Sequence, residues 1–415
     1  MWVGDRAYAK RPCKFVLALV SSAIFLSACA ARNDPDQWTV TEIQSPAAPG
    51  SGEPYLSVAG DGVYLSWFEA TPQGAHLLRF AHLEGNRWSK PFDIARDLPF
   101  FVNWADFPSI RLLSGGSLAA HWLQKNAAGP YAYDVFVSFS SDQGVSWSAP
   151  VRPHTDRSAT EHGFVSLVAE ENTGVAAVWL DGRNFEPGKL EEGDLSNEMA
   201  LMYSKLEDSA FRDETLLDSR VCDCCQTDAA VTSEGLFVVY RDRSESEVRD
   251  ISYVRQVAGK WTTPKTLYPD RWKIAACPVN GPAIAADGNL LAGAWFTGSG
   301  DRGRVQAIFS SDSGKTFGLP ARIDSGNPSG RVDVALAADR SAIVSWLENV
   351  PNKGAEIRAR QVYPDGKVQP PFVIASSSSA RASGFPRLIR QGSSFLVAWT
   401  QASDPSQIRI VRITR

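Results

Sequence analysis

The stretch VYLSWFEA, residues 63–70, decides the fold because the chain repeats it. Its pattern is an apolar run that ends in an aromatic residue and then a polar one. The same phrase returns as LAAHWLQK (118–125), VAAVWLDG (175–182), LFVVYRDR (236–243), LAGAWFTG (291–298), AIVSWLEN (342–349) and FLVAWTQA (395–402). The aromatic positions are Trp67, Trp122, Trp179, Tyr240, Trp295, Trp346 and Trp399, and neighbours in this series stand 51 to 61 residues apart. A period of this size, with strand-type patterns and glycine-rich turns, signals a radial array of small sheets. The β-branched and aromatic content favours strands, and no long segment carries a helical period. The chain therefore reads as all-β, a seven-bladed β-propeller.

A second phrase closes each unit: an aromatic, a few small or polar residues, often a proline, then a short strand. It occurs as RWSKPFDI (87–94), SWSAPVRP (146–153), KWTTPKTL (260–267) and TFGLPARI (316–323), with weaker forms at FRDETLL (211–217) and VQPPFVI (368–374). WTVTEI (38–43) matches this closing strand although no unit precedes it. The last unit lacks one. The expectation is ring closure, in which the N-terminal strand completes the final sheet and covers its edge.

Two turns are more sharply defined. SSDQGVSW (140–147) and SSDSGKTF (310–317) both fit S-x-D-x-G-x-x-(W/F). An Asp can accept turn N–H bonds, the Gly can take positive φ, and the aromatic can pack between blades. These turns resemble the Asp-box, or BNR, repeat of the sialidase superfamily. The resemblance makes Asp142, Gly144, Trp147, Asp312, Gly314 and Phe317 structural, and implies a propeller over nearly all of the chain. Sialidases have six blades, so a six-bladed ring is the alternative that the resemblance carries.

The N-terminus addresses the compartment. Arg6, Lys10, Arg11 and Lys14 precede the apolar run FVLALVSSAIFL (15–26). That run is too short to span a bilayer and fits a secretory leader. It ends in LSAC (26–29), which resembles the lipobox of bacterial lipoproteins. The resemblance implies a signal peptide over 1–29, a lipid on Cys29, and an address in the bacterial cell envelope. Ala30 resembles an outer-membrane sorting signal, with the protein facing the periplasm or the surface. Residues 30–37 read as a tether and 38–415 as one domain. The only membrane contact expected is through the lipid, and the body is expected to be a monomer. Removing four basic residues and Asp5 from 42 Lys+Arg and 46 Asp+Glu leaves 38 against 45, a net charge of −7. That balance argues against a nucleic-acid partner, which calls for a basic stripe.

A propeller has two loop faces. The face carrying Asp142 and Asp312 receives short turns. The opposite face receives the long blade crossings 99–108, 153–163, 218–228 and 268–282, and the strand connections 181–198, 241–250 and 297–304. Long loops on a rigid scaffold are where sites are usually built. A small-molecule or glycan ligand, or another anionic molecule, is expected there.

This face also holds Cys222, Cys224, Cys225 and Cys277, in DSRVCDCCQTD and YPDRWKIAACPVNGP. Adjacent crossings are neighbours, so Cys277 should lie near the triplet. An exported chain permits disulfides. Three pairings exist, and those joining Cys277 to Cys224 or Cys225 look easiest. Two other readings stay open: a copper or zinc site of soft thiolates, to which His162 could add a nitrogen, and a reactive thiol pair near arginines. No other cofactor is implied.

The sialidase resemblance raises the question of glycoside hydrolysis. Such chemistry needs guanidinium forks for a carboxylate, a Tyr–Glu couple and an acid. Arg183, Arg241, Arg243 and Arg249 are the candidate clamps, with Asp106 and Asp181 as acids and Glu247 as base. The segment RDRSESEVRD (241–250) can also pair with itself. No Tyr–Glu couple is evident, and FPSIR (107–111) holds the residues of the sialidase Arg-Ile-Pro signature in another order. The fold carries over, and the activity is withheld.

Overall fold

The computed structural model describes residues 37–60, 62–170, 174–185, 198–207 and 210–415. The leader, Cys29 and the tether except Gln37 lie outside them. Seven antiparallel sheets follow one another along the chain. Their first strands are Ser51–Ala59, Ser109–Leu112, His162–Glu170, Asp228–Thr232, Ala283–Asp287, Pro328–Leu336 and Arg387–Gln391. Each of these packs beside the next, and the last packs beside the first, so they form a closed ring around an axis.

Ring closure is as expected. Thr39–Ile43 pairs antiparallel with Gln407–Thr414, from Thr39 opposite Thr414 to Ile43 opposite Ile410. The first strand of the domain is thus the outer strand of the seventh blade. Six blades have at least four strands and the second has three. There the closing phrase makes a single bridge, Val151 to Val137. Pro150 and Pro153 flank that bridge, and neither has an N–H to extend a ladder.

The repeated aromatics explain the period. All seven lie on second strands and are at most 2% exposed. Such wide, flat side chains fill the wedge between blades, but an indole N–H buried there needs an acceptor. The phrase supplies it two residues on, on the same strand face. Trp67 donates to Glu69 at 3.1 Å, Trp179 to Asp181 at 2.7 Å and Trp346 to Glu348 at 2.5 Å. Gln124 and Gln401 do the same for Trp122 and Trp399 at longer range. Tyr240 and Trp295 instead find Asp218 and Asp270, both at 2.6 Å.

The two S-x-D-x-G turns are built alike. Asp142 accepts from the Ser146 backbone N–H at 2.9 Å and its hydroxyl at 2.6 Å. Asp312 accepts from Thr316 in the same way, at 3.0 and 2.6 Å. These bonds to the ionised form hold both carboxyls down, at about 2. Gly144 and Gly314 take φ of 88° and 77°. A Cβ on either would overlap a phenylalanine ring of the preceding unit in the series, Phe80 for Gly144 and Phe237 for Gly314. Trp147 and Phe317 pack on those same rings, each with centroids 6.0 Å apart.

Candidate functional site

On the crossing face, polar side chains stitch the blade crossings to one another around the axis. Asp106 accepts the Phe164 N–H at 2.6 Å. Gln226 donates to the Ala105 carbonyl at 2.6 Å and accepts the Gly281 N–H at 3.0 Å. Asn280 accepts the Arg331 N–H at 2.8 Å, and Asp333 that of Leu388, also at 2.8 Å. These bonds draw the crossings 99–108, 218–228 and 268–282 together at one mouth. Trp104, stacked on Phe385 at 5.8 Å, stands partly exposed there.

One wall of the mouth is acidic and phenolic. Tyr133 is buried, stacks on Phe101 at 3.9 Å and donates a short hydrogen bond to Glu161. Asp106 lies against the same ring across Gly163, a position that has no room for a Cβ. Burial pushes the Asp106 carboxyl up to about 7 and that of Glu161 up to about 8. Glu161 therefore holds its proton at neutrality and can donate a hydrogen bond, while Asp106 is shared between its two forms there. A Tyr–Glu couple is thus present. Tyr133 opens a third strand and Glu161 ends a crossing, and their separation of 28 positions hides the contact in sequence.

The other wall holds the cysteines and two arginines. Cys222 to Cys225 is a turn with Cα atoms 5.8 Å apart, which brings its end residues side by side in a disulfide. This differs from the expectation that Cys277 pairs with Cys224 or Cys225: closure within one turn takes Cys225 out of reach. Cys277 does lie against the triplet, hydrogen-bonded with Cys224 and 4.0 Å from Asp223. Cys222, Cys224 and Cys225 present sulfurs within 4.8 Å of one another, a spacing that a soft metal ion could use once the bridge is reduced.

Arg243 and Arg249 are fully buried beside them. Glu247 accepts from both, at 3.0 and 2.9 Å, so the segment pairs with itself. Asp223 faces both guanidinium groups, 3.6 Å from Arg243 and 3.3 Å from Arg249. Arg220 pairs with Glu198 at 2.9 Å.

The remaining candidates are committed elsewhere. Arg241 donates to three backbone carbonyls, those of Asn280, Arg249 and Phe296, at 2.6 to 2.8 Å. It also lies 4.9 Å over the Trp272 ring, and its role is to hold two loops rather than to clamp a carboxylate. Asp181 serves Trp179 and takes Arg183 in a two-point bond at 2.8 and 2.7 Å. His154 and His162 stack at 4.2 Å in a buried pocket with Asp134. Their ring nitrogens and the Asp134 carboxylate lie within 4.8 Å of one another, but each ring nitrogen already meets a protein group. His162 stays with that pocket rather than joining the cysteines.

No family model matches this sequence and no curated protein does. The fold does match solved structures. An ulvan lyase bound to -[GlcA(1-4)Rha3S]- superposes with a TM-score of 0.54 at 12% identity, covering 89% of this chain and 95% of its own. The polysaccharide lyase Uly1 gives 0.51 at 8% identity over 88% and 90%. A subtype N10 neuraminidase-like protein matches more loosely, at 0.44 and 9% identity over 77% and 95%. The first two, with TM-scores above 0.5, share the β-propeller fold with this chain.

Proposed function

We propose that the protein is a glycan-binding propeller whose ligand seats at the mouth of the crossing face. The observation that carries this is the approach of Glu161, which sits with Asp106 and Tyr133, to Asp223, which faces Arg243 and Arg249; the Asp223 charge helps to hold the Glu161 carboxyl up. The protonated Glu161 offers a donor, Asp106 and Asp223 offer acceptors, and Trp104 offers an apolar face. That mixture suits a hydroxyl-rich sugar unit. The arginines are already matched by carboxylates, so charge alone does not select the ligand. Two propellers that superpose on this one are polysaccharide lyases, which supports a glycan as the ligand class.

Calorimetry with neutral and uronate-bearing oligosaccharides tests the reading. Binding by the wild type, weakened at least tenfold in Asp223→Asn, is the expected result. Silence across both sugar classes would remove it.

A second reading, cleavage of the glycosidic bond, is favoured by Glu161, an acid kept protonated beside Tyr133. Its assay is release of new chain ends, lost in Glu161→Gln. The lipobox-like segment adds that the domain is held at the cell envelope through Cys29. Labelling with a fatty acid, absent in Cys29→Ser, tests that separately.

A further inference from the structure

Four cysteines stand within one crossing and its neighbour, yet they are not equivalent. Cys222 and Cys225 form the bridge and are 0% and 1% exposed. Cys224 and Cys277 are free, partly exposed, and hydrogen-bonded to each other across two separate loops. Cys277 lies 4.0 Å from Asp223, which itself faces the Arg249 and Arg243 guanidinium groups. The hydrogen bond with Cys224, and after it the Arg249 and Arg243 charges, draw the Cys277 thiol down towards the thiolate, the form that attacks sulfur, while burial pushes Cys224 up. Two accessible thiols beside a sealed bridge make a reactive pair and a staple.

We propose that Cys224 and Cys277 are a dithiol–disulfide couple, a site at the mouth that exchanges with small external disulfides. The Cys277 thiolate attacks one sulfur of RS–SR. A Cys277–SR bond forms and one thiolate RS⁻ leaves. Cys224 then attacks Cys277 Sγ as it gives up its proton, the Cys224–Cys277 bond forms and the second RS⁻ leaves. Two protein thiols are oxidised, RS–SR is reduced to two RSH, and the two thiol protons end on those products. The new bond ties crossing 218–228 to crossing 268–282. This chemistry is independent of which ligand the mouth takes.

The probe is oxidised glutathione. The purified protein is treated with mild reductant, freed of it, and alkylated without denaturant. Two labels per chain are expected, on Cys224 and Cys277, with Cys222–Cys225 intact because it is sealed from solvent. Incubation with oxidised glutathione beforehand should abolish both labels together, yield a Cys224–Cys277 linked peptide and leave no glutathione on the protein. In Cys224→Ser the resolving thiol is gone, and one glutathione should remain on Cys277. Three results would overturn the assignment: wild-type protein that keeps glutathione on Cys277, a bridge mapped from Cys222 to Cys224, or a stoichiometric metal ion that shields both thiols. The wild-type measurements stand without the variant, so a folding defect in Cys224→Ser leaves the question decidable.

Discussion

Replacing Glu161 by Gln should stabilise the protein, and more so as pH rises. Burial holds the folded carboxyl at about 8 against 4.5 for the free group. The folded state therefore binds this proton more tightly than the unfolded state does. Below pH 4.5 both states are protonated and Glu161 costs nothing. Between 4.5 and 8 the unfolded state ionises first, so stability falls as pH rises. At about 1.36 kcal/mol per pH unit, the cost at pH 7 is about 3 kcal/mol. Glu161 is half-buried, and residual solvent contact reduces this to about 2 kcal/mol. Glutamine has the shape of the protonated acid and still accepts the Tyr133 hydroxyl, so the substitution removes only the ionisation. Asp106 is present in both proteins and largely drops out of the difference. Urea unfolding followed by tryptophan fluorescence at pH 5, 6, 7 and 8 measures it. The gap between variant and wild type should widen steadily over that series. A gap independent of pH would refute the claim that Glu161 is protonated in the fold.

Other substitutions probe the frame. Gly144→Ala or Gly314→Ala forces a Cβ into Phe80 or Phe237 at positive φ and should cost roughly 1–3 kcal/mol each by urea unfolding. Arg241→Met leaves three buried carbonyls without donors and should cost about 3–5 kcal/mol; an unchanged urea midpoint would show that the carbonyls find other partners. Asp142 and Asp312 are ionised through bonds made only in the fold, so their contribution is complete above about pH 4 and is lost as pH falls towards 2. Asp142→Asn should flatten the acid limb of the unfolding curve over that window.

The architecture was readable because its period rests on large side chains with one job. A tryptophan every 51 to 61 residues can be counted from the letters. The identity of its acceptor could not, since Glu69, Gln124 and Asp181 look like ordinary strand-end polar residues until the indole N–H is seen to need them. That is also why Asp181 resembled a candidate acid. The proximity of Cys277 to the triplet followed from adjacency of crossings, whereas the choice of Cys225 as the partner of Cys222 depended on a turn only coordinates reveal. Arg241, Arg243 and Arg249 share one ten-residue segment, yet the first faces backbone carbonyls and the other two face Glu247. Sequence spacing carries no information about that division. Tyr133 and Glu161 carry no sequence signal because neither sits in a motif, and burial gives their contact its chemistry.

Thr39–Ile43 leaves the ribosome long before its partner Gln407–Thr414. For the whole time between, the ribbon of six blades has no lock. Its first strand must wait unpaired, exposed to any other sheet edge that passes. Gln407–Thr414 therefore acts as the clasp of the molecule, and a chain without it would be an open necklace rather than a slightly shortened ring.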